Sequence, residues 1–171
     1  MRTVILGIGN PILSDDAAGL KVAQLIDENL KKTKDNIYEI DVKQIYTGGL
    51  AIAEAMAGYD EAIIIDAIVT GLYPVGTVME LTLKDLPKAR NITNTHDTDF
   101  SSAVEMAGLL DIQMPGIIRI FGLESGEVGS FGERLSEGVD RAIGRAARMI
   151  LSITDRHDTD RHDTDRHEAM N

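Results

Sequence analysis

The sequence contains no cysteine, and this absence removes several kinds of chemistry. Without thiols there is no disulfide framework, no thiolate metal site and no cysteine nucleophile. Long apolar runs are also missing, because MRTVILGIGN meets Asn-Pro after a short run and AIIIDAIVTGLYPVG is interrupted by Asp66. We therefore expect neither a secretion signal nor a membrane span, and we expect a cytoplasmic protein without a membrane partner.

Basic residues and aromatic residues are scarce as well. The chain has 17 Lys and Arg against 28 Asp and Glu, for a net charge of −11, and only three Phe, four Tyr and no Trp. Residues 154–171 contain three Arg and six acids, which leaves −8 on residues 1–153. Such a surface repels a phosphate backbone and offers no aromatic platform for single strands. We expect no nucleic-acid partner.

Strand and helix patterns alternate along the first part of the chain, whose 171 residues suffice for one domain. Continuous β-branched runs predict buried parallel strands, and apolar residues at helical spacing predict helices between them. The predicted elements are a strand over 3–8, a helix over about 15–34, a strand over 37–46, a short helix over 50–56 and a strand over 61–66. This alternation indicates βαβ units.

The second part of the chain completes the predicted fold. A link too short for a helical crossover predicts an antiparallel strand over 77–83. A helix over about 97–110, a strand over 116–123 and a helix over about 136–153 follow. The expected fold is a three-layer α/β/α domain over residues 1–153, with a mixed, mostly parallel five-stranded sheet and helices on both faces. Residues 154–171 repeat DTDRH without an apolar residue before Ala169, which predicts a disordered, solvated tail.

The loop GIGNPILSDDAAG, residues 7–19, begins with two glycines after the first strand. A dinucleotide fingerprint requires a third glycine where Ile12 stands, so we expect the strand and helix not to approach as they do in that fold. Two carboxylates at the helix start would also repel a pyrophosphate. We expect no nucleotide cofactor, and we expect Ser14 or Asp15 to cap the following helix.

Three residues that could carry chemistry are predicted to meet at one edge of the sheet. Asp16 follows the first strand, Asp66 ends the run AIIID, and His96 precedes a helix and is the only histidine before residue 157. Each also has a purely structural explanation. Asp16 could interact with the helix dipole, Asp66 could accept hydrogen bonds from loop amides, and His96 could be an ordinary loop histidine. Together, two carboxylates and one imidazole suit a borderline divalent ion such as nickel or zinc, whereas magnesium prefers oxygen ligands alone.

The ordered motifs resemble those of the maturation endopeptidases of nickel-iron hydrogenases. The segments that carry the resemblance are GIGNPILSDD, AIIIDA, THDTDF, GLES and LSEGVDRAI, which span about residues 1 to 152. Two positions depart from the family pattern, since Ala17 replaces a common glycine and Ser125 replaces the proline after Glu124. The resemblance implies a five-stranded mixed sheet, with Asp16, Asp66 and His96 at the family's metal-binding positions.

The resemblance also implies an activity. Members remove a C-terminal peptide from the precursor of the hydrogenase large subunit after nickel insertion, so the nickel arrives with the substrate and no permanent metal is required. Two alternatives stay open. A peptidyl-tRNA hydrolase-like esterase shares the GIGNP opening, although no histidine precedes His96 here, and a non-catalytic metal-binding or chaperone module could use the same ligands.

Overall fold

The computed structural model describes residues 1–33, 39–46, 48–82, 107–126 and 128–168, with the backbone alone for 155–168. These ranges contain five strands, three helices of at least 7 residues and a short helical stretch over 107–109. The strands are β1 (Thr3–Ile8), β2 (Ile40–Ile45), β3 (Glu61–Ile68), β4 (Val78–Leu81) and β5 (Ile117–Glu124). The helices are α1 (Ala18–Lys32), α2 (Leu50–Met56) and α3 (Glu137–Glu168).

The five strands form one sheet in the order β2-β1-β3-β5-β4. The strands β2, β1, β3 and β5 pair in parallel, and β4 pairs with β5 in the antiparallel sense, as the short link before β4 predicts. In the central pair, Gly7 of β1 is the register partner of Ile65 of β3. The predicted mixed, mostly parallel sheet is confirmed.

Apolar side chains cover both faces of the sheet. One core cluster contains Ile5, Ile63 and Phe121 with residues of α1 and α3. The other contains Leu6 and Ile64 with residues of α2. Ile5, Leu6 and Phe121 are fully buried, and each such side chain contributes roughly 1.5–3 kcal/mol through removal from water. Helices thus lie on both faces, which confirms the three-layer α/β/α fold.

Close backbone contact between β1 and α1 explains the glycines of the first loop. A Cβ atom on Gly7 would lie 2.5 Å from the Cβ of Ala23, and a Cβ on Gly19 would lie 3.0 Å from the carbonyl carbon of Ile65. Gly9 has a φ of 149° and faces the backbone of Asp16. Strand and helix therefore approach closely although Ile12 stands where the fingerprint has its third glycine, because Gly19 provides the space.

The amino end of β3 carries an ionic network with one buried member, Glu61, at the end of the sheet opposite the first loop. Glu61 is fully buried, and its carboxylate accepts hydrogen bonds from Thr3 Oγ1 at 3.3 Å and Arg119 Nε at 3.1 Å. Arg119 Nη1 also donates to Glu80 at 2.7 Å. The hydrogen bond to Glu80 raises the pKa of Arg119, so this guanidinium stays charged.

Several element boundaries differ from the predicted ones. A 3₁₀ turn over Ser14–Ala17 precedes α1, which begins at Ala18 instead of Asp15. The predicted helix over 97–110 falls mostly outside the described residues, of which 107–109 are helical. The last helix continues to Glu168, fifteen residues beyond the predicted end. Asp and Arg recur in that extension at spacings of three and four, which suits a solvated helix.

None of the helices in the described residues has the length and apolar character needed to span a membrane.

Candidate functional site

The strand order creates a point where chain direction across the sheet reverses. From β1 the chain passes to β2 on one side, and it then crosses to β3 on the other side of β1. In open α/β sheets, ligands bind outside the carboxyl ends of the strands at such a point, because the flanking loops diverge there. The candidate site therefore lies where β1 and β3 end.

Asp16 is held against this edge by the 3₁₀ turn after β1. Its side chain is buried, and Oδ2 accepts a hydrogen bond from the backbone N–H of Asn10 at 2.7 Å. The turn contacts β3 directly, and the tight packing of Gly19 on Ile65 brings the following helix to the same strand. The local fold thus holds the turn that carries Asp16 against β3.

Asp66 lies within β3 instead of at its end. The strand continues to Ile68, since Ala67 and Ile68 still pair with Leu123 and Glu124 of β5. The Asp66 side chain is half-buried, and Oδ1 accepts a hydrogen bond from the Ala67 N–H at 2.8 Å. Alternation along the strand places it on the same face as Ile64. Asp16 and Asp66 therefore belong to neighbouring elements, because the 3₁₀ turn contacts β3.

His96, the third predicted ligand, lies outside the described residues. Within the ranges that the structure covers, no group of three His, Asp or Glu side chains is arranged to hold a metal ion. The three-ligand set of Asp16, Asp66 and His96 stays a prediction.

Asp15 has a different structural role from the predicted one. Neither the 3₁₀ turn nor α1 has a side-chain cap, so the prediction that Ser14 or Asp15 caps the first helix was wrong. The Asp15 carboxylate instead accepts hydrogen bonds from the N–H and the Oγ of Ser136, at 2.6 and 2.8 Å. Ser136 immediately precedes α3, and its carbonyl accepts from the N–H of Asp140. Asp15 thereby fixes the start of the last helix to the first loop.

Glu124, at the end of β5, is a buried carboxylate whose role the sequence does not reveal. Its oxygens accept hydrogen bonds from the N–H and Oγ1 of Thr70 and from the N–H of Gly71. Ser125, which follows it, donates its N–H to the carbonyl of Ile68 at 2.8 Å. A proline at this position would have no N–H to donate. Glu124 and Ser125 of the segment GLES thus hold the beginning of the loop after β3 through hydrogen bonds.

A family model described as hydrogenase maturation protease matches residues 20–153. Among curated proteins, the hydrogenase 2 maturation protease of Escherichia coli strain K12 is 30% identical over 87 residues, which are 51% of this chain and 51% of that protein. The chain thus spans about half the length of the curated relative it matches.

Solved structures extend the similarity of the fold over most of the chain. The hydrogenase maturating endopeptidase HybD from E. coli superposes with a TM-score of 0.71 at 24% identity, covering 92% of this chain and 94% of that one. The [NiFe] hydrogenase maturation protease HybD from Thermococcus kodakarensis gives 0.63 at 22% identity, covering 90% and 99%. These similarities show the same fold.

Proposed function

The chain belongs to the hydrogenase maturation protease family, and we propose that it is an endopeptidase that removes a C-terminal peptide from the precursor of a nickel-iron hydrogenase large subunit. The observation that carries the proposal is the family match over residues 20–153. The two carboxylates at the switch point of the sheet support it, because they lie where this fold class binds ligands.

In the proposed mechanism, the nickel belongs to the substrate. Cysteine thiolates of the precursor hold the ion, and the protease contributes Asp16, Asp66 and His96 as further ligands. The protease has no cysteine of its own, so it cannot offer thiolate ligands that would retain the metal. Binding the nickel would orient the C-terminal extension beside Asp66. A water molecule polarised by the metal, or by the Asp66 carboxylate, would then attack the scissile carbonyl.

The test compares cleavage of nickel-loaded and nickel-free precursor. We expect the unaltered protein to cut only the nickel-loaded form, and Asp16→Asn, Asp66→Asn and His96→Ala to abolish this cleavage. Each of these changes removes a ligand, and we expect the circular dichroism spectrum to be unchanged. Since Asp27 lies on the exposed side of α1 and pairs with Lys31, Asp27→Asn is the matched control and should cut at the normal rate.

Two results would contradict the proposed nickel recognition, and a third would contradict the endopeptidase activity. Equal cleavage of nickel-loaded and nickel-free precursor would show that the metal is not recognised. Full activity of His96→Ala would remove the imidazole from the ligand set. Absence of cleavage of any nickel-loaded precursor, with metal binding retained, would favour the non-catalytic module instead.

A further inference from the structure

We propose that Glu124 is a positioning residue, whose buried carboxylate shapes the loop of residues 69–76 into an apolar surface that contacts the substrate polypeptide. This inference rests on the proposed function, because it identifies the loop as a binding element for the same precursor. Glu124 would act through the loop and would not touch the reacting atoms.

The Glu124 side chain makes three hydrogen bonds to the beginning of the loop. Oε1 accepts from the N–H of Thr70 at 3.0 Å and of Gly71 at 2.8 Å, and Oε2 accepts from Thr70 Oγ1 at 2.7 Å. Thr70 Oγ1 in turn accepts from the N–H of Leu72 at 3.1 Å. Glu124 is 1% exposed, and a hydrogen bond is electrostatically stronger in such a buried position than in water. The conformation of residues 70–72 therefore depends on this carboxylate.

The backbone of Glu124 holds the other end of the same loop. Its carbonyl accepts from the N–H of Gly76 at 2.7 Å, and its N–H donates to the carbonyl of Thr77 at 2.8 Å. One residue thus closes the loop at both ends. A buried carboxylate is costly unless it is fully hydrogen-bonded, and a loop of this length could be closed without one. The arrangement indicates that the shape of the loop matters.

The loop presents apolar side chains to solvent. Leu72 is 79% exposed and Tyr73 is 51% exposed, and Val69 and Val75 are exposed beside them. Residues 67–79, AIVTGLYPVGTVM, contain no charged side chain, although 26% of the whole chain is charged. An uncharged apolar surface on an acidic protein suits an uncharged, apolar segment of a partner, because acidic segments are repelled by the surrounding protein.

The position of the loop identifies the occupant as the substrate. The loop follows directly from β3, so Val69 is three residues beyond Asp66 in the chain. A polypeptide whose C-terminal extension lies at Asp66 would therefore lie near this loop. We therefore assign the surface to the part of the precursor next to its cleavage site, and a second copy of this chain is the competing occupant that the experiment distinguishes.

The experiment measures kcat and KM for cleavage of nickel-loaded precursor, together with the dissociation constant of that precursor. In Glu124→Ala we expect KM and the dissociation constant to rise about tenfold or more while kcat changes less than about threefold, because binding is lost without loss of chemistry. Leu72→Ser should behave in the same way. Glu124→Gln should stay within about threefold of normal, because its amide oxygen still accepts from both backbone N–H groups.

The matched control is Glu61→Ala, since Glu61 is an equally buried carboxylate at the opposite end of the sheet. It should lower the thermal unfolding temperature without changing KM. If Glu124→Ala does not fold, Thr70→Val replaces it, with Thr70→Ser as its own control that retains the hydroxyl. Thr70→Val should then raise KM, and Thr70→Ser should not.

Four outcomes would overturn the inference. An unchanged KM and dissociation constant in folded Glu124→Ala or Thr70→Val would show that the loop has no role in binding. Loss of kcat in Glu124→Gln would make Glu124 a proton-transfer group. If KM rises as much in Glu61→Ala as in Glu124→Ala, the rise in Glu124→Ala reflects general destabilisation of the protein and not the shape of the loop. A dimer in sedimentation that Leu72→Ser dissociates would assign the surface to a second copy.

Failure of the proposed function gives a different result. If the unaltered protein leaves the precursor uncut, the endopeptidase proposal fails, and the dissociation constants still test the loop by themselves. Weakened binding in Glu124→Ala and Leu72→Ser, with normal binding in Glu61→Ala, would then support the loop as a docking element.

Discussion

At the scale of single residues, two adjacent acids of the first loop have separate tasks. Asp16 accepts a hydrogen bond from the N–H of Asn10 within the first loop, whereas Asp15 bonds to Ser136 and so joins that loop to α3. The residue types alone suggest helix capping, because Asp is a favoured cap residue. No local rule identifies the true partner, since Asp15 and Ser136 are 121 positions apart.

Replacing Asp15 with alanine should destabilise the protein. The change removes a buried acceptor from two donors, and we expect a loss of about 1–3 kcal/mol in the free energy of unfolding. Asp15→Asn should cost less, because one of its two side-chain atoms still accepts. Urea denaturation followed by circular dichroism measures the difference.

The surface variant Asp27→Ala provides the control for Asp15→Ala. Asp27 makes an exposed pair with Lys31 four residues away, so its loss should cost no more than about 0.5 kcal/mol. If Asp15→Ala proves as stable as Asp27→Ala, the bonds to Ser136 do not stabilise the start of α3.

At the scale of elements, the sequence predicts the existence and type of strands better than their ends. The β-branched runs of β1 and β3 are unambiguous because both faces of these strands are buried. The polar residue Asp66 suggests an end to β3, yet pairing with β5 continues for two more residues. Burial patterns cannot show where a ladder of backbone hydrogen bonds stops.

The carboxyl end of α3 also could not be located from the sequence. Apolar periodicity ends near Ile153, so the sequence places the helix end there, whereas the backbone continues as helix to Glu168. Core packing stops earlier, with Ile150 fully buried and Thr154 buried. The segment that follows has the composition of a solvated helix, which a search for buried faces does not detect.

Truncation after Thr154 should leave precursor cleavage unchanged. The removed histidines, His157, His162 and His167, recur every five residues, and on a helix each step of five rotates the side chain by about 140°. They therefore do not share a face on which to collect nickel. Cleavage kinetics of the truncated protein provide the measurement, and a loss of more than about fivefold, about 1 kcal/mol in the activation barrier, would show that the segment participates.

At the scale of the whole molecule, the three-layer arrangement follows from alternating patterns that bury two faces of one sheet. The same patterns place Asp16 and Asp66 at one edge, because the carboxyl ends of parallel strands meet there. The hydrogen bonds between Glu124 and the loop of residues 69–76 could not be predicted in this way. It joins residues 54 positions apart, and a buried carboxylate accepting backbone N–H groups leaves no periodic signal in the sequence.

The overall charge distinguishes the proposed endopeptidase from a peptidyl-tRNA hydrolase, which shares the GIGNP opening. A net charge of −11 opposes approach of a polyanion, and tRNA affinity depends on Lys and Arg that release counterions from phosphates. We expect no binding of tRNA at micromolar protein concentration, at low or physiological salt, and no release of peptide from a peptidyl-tRNA. Fluorescence anisotropy of labelled tRNA across a salt series measures this, with an authentic peptidyl-tRNA hydrolase as the positive control. Micromolar binding that weakens steeply with salt would place an RNA-binding surface on this protein and favour the esterase over the protease.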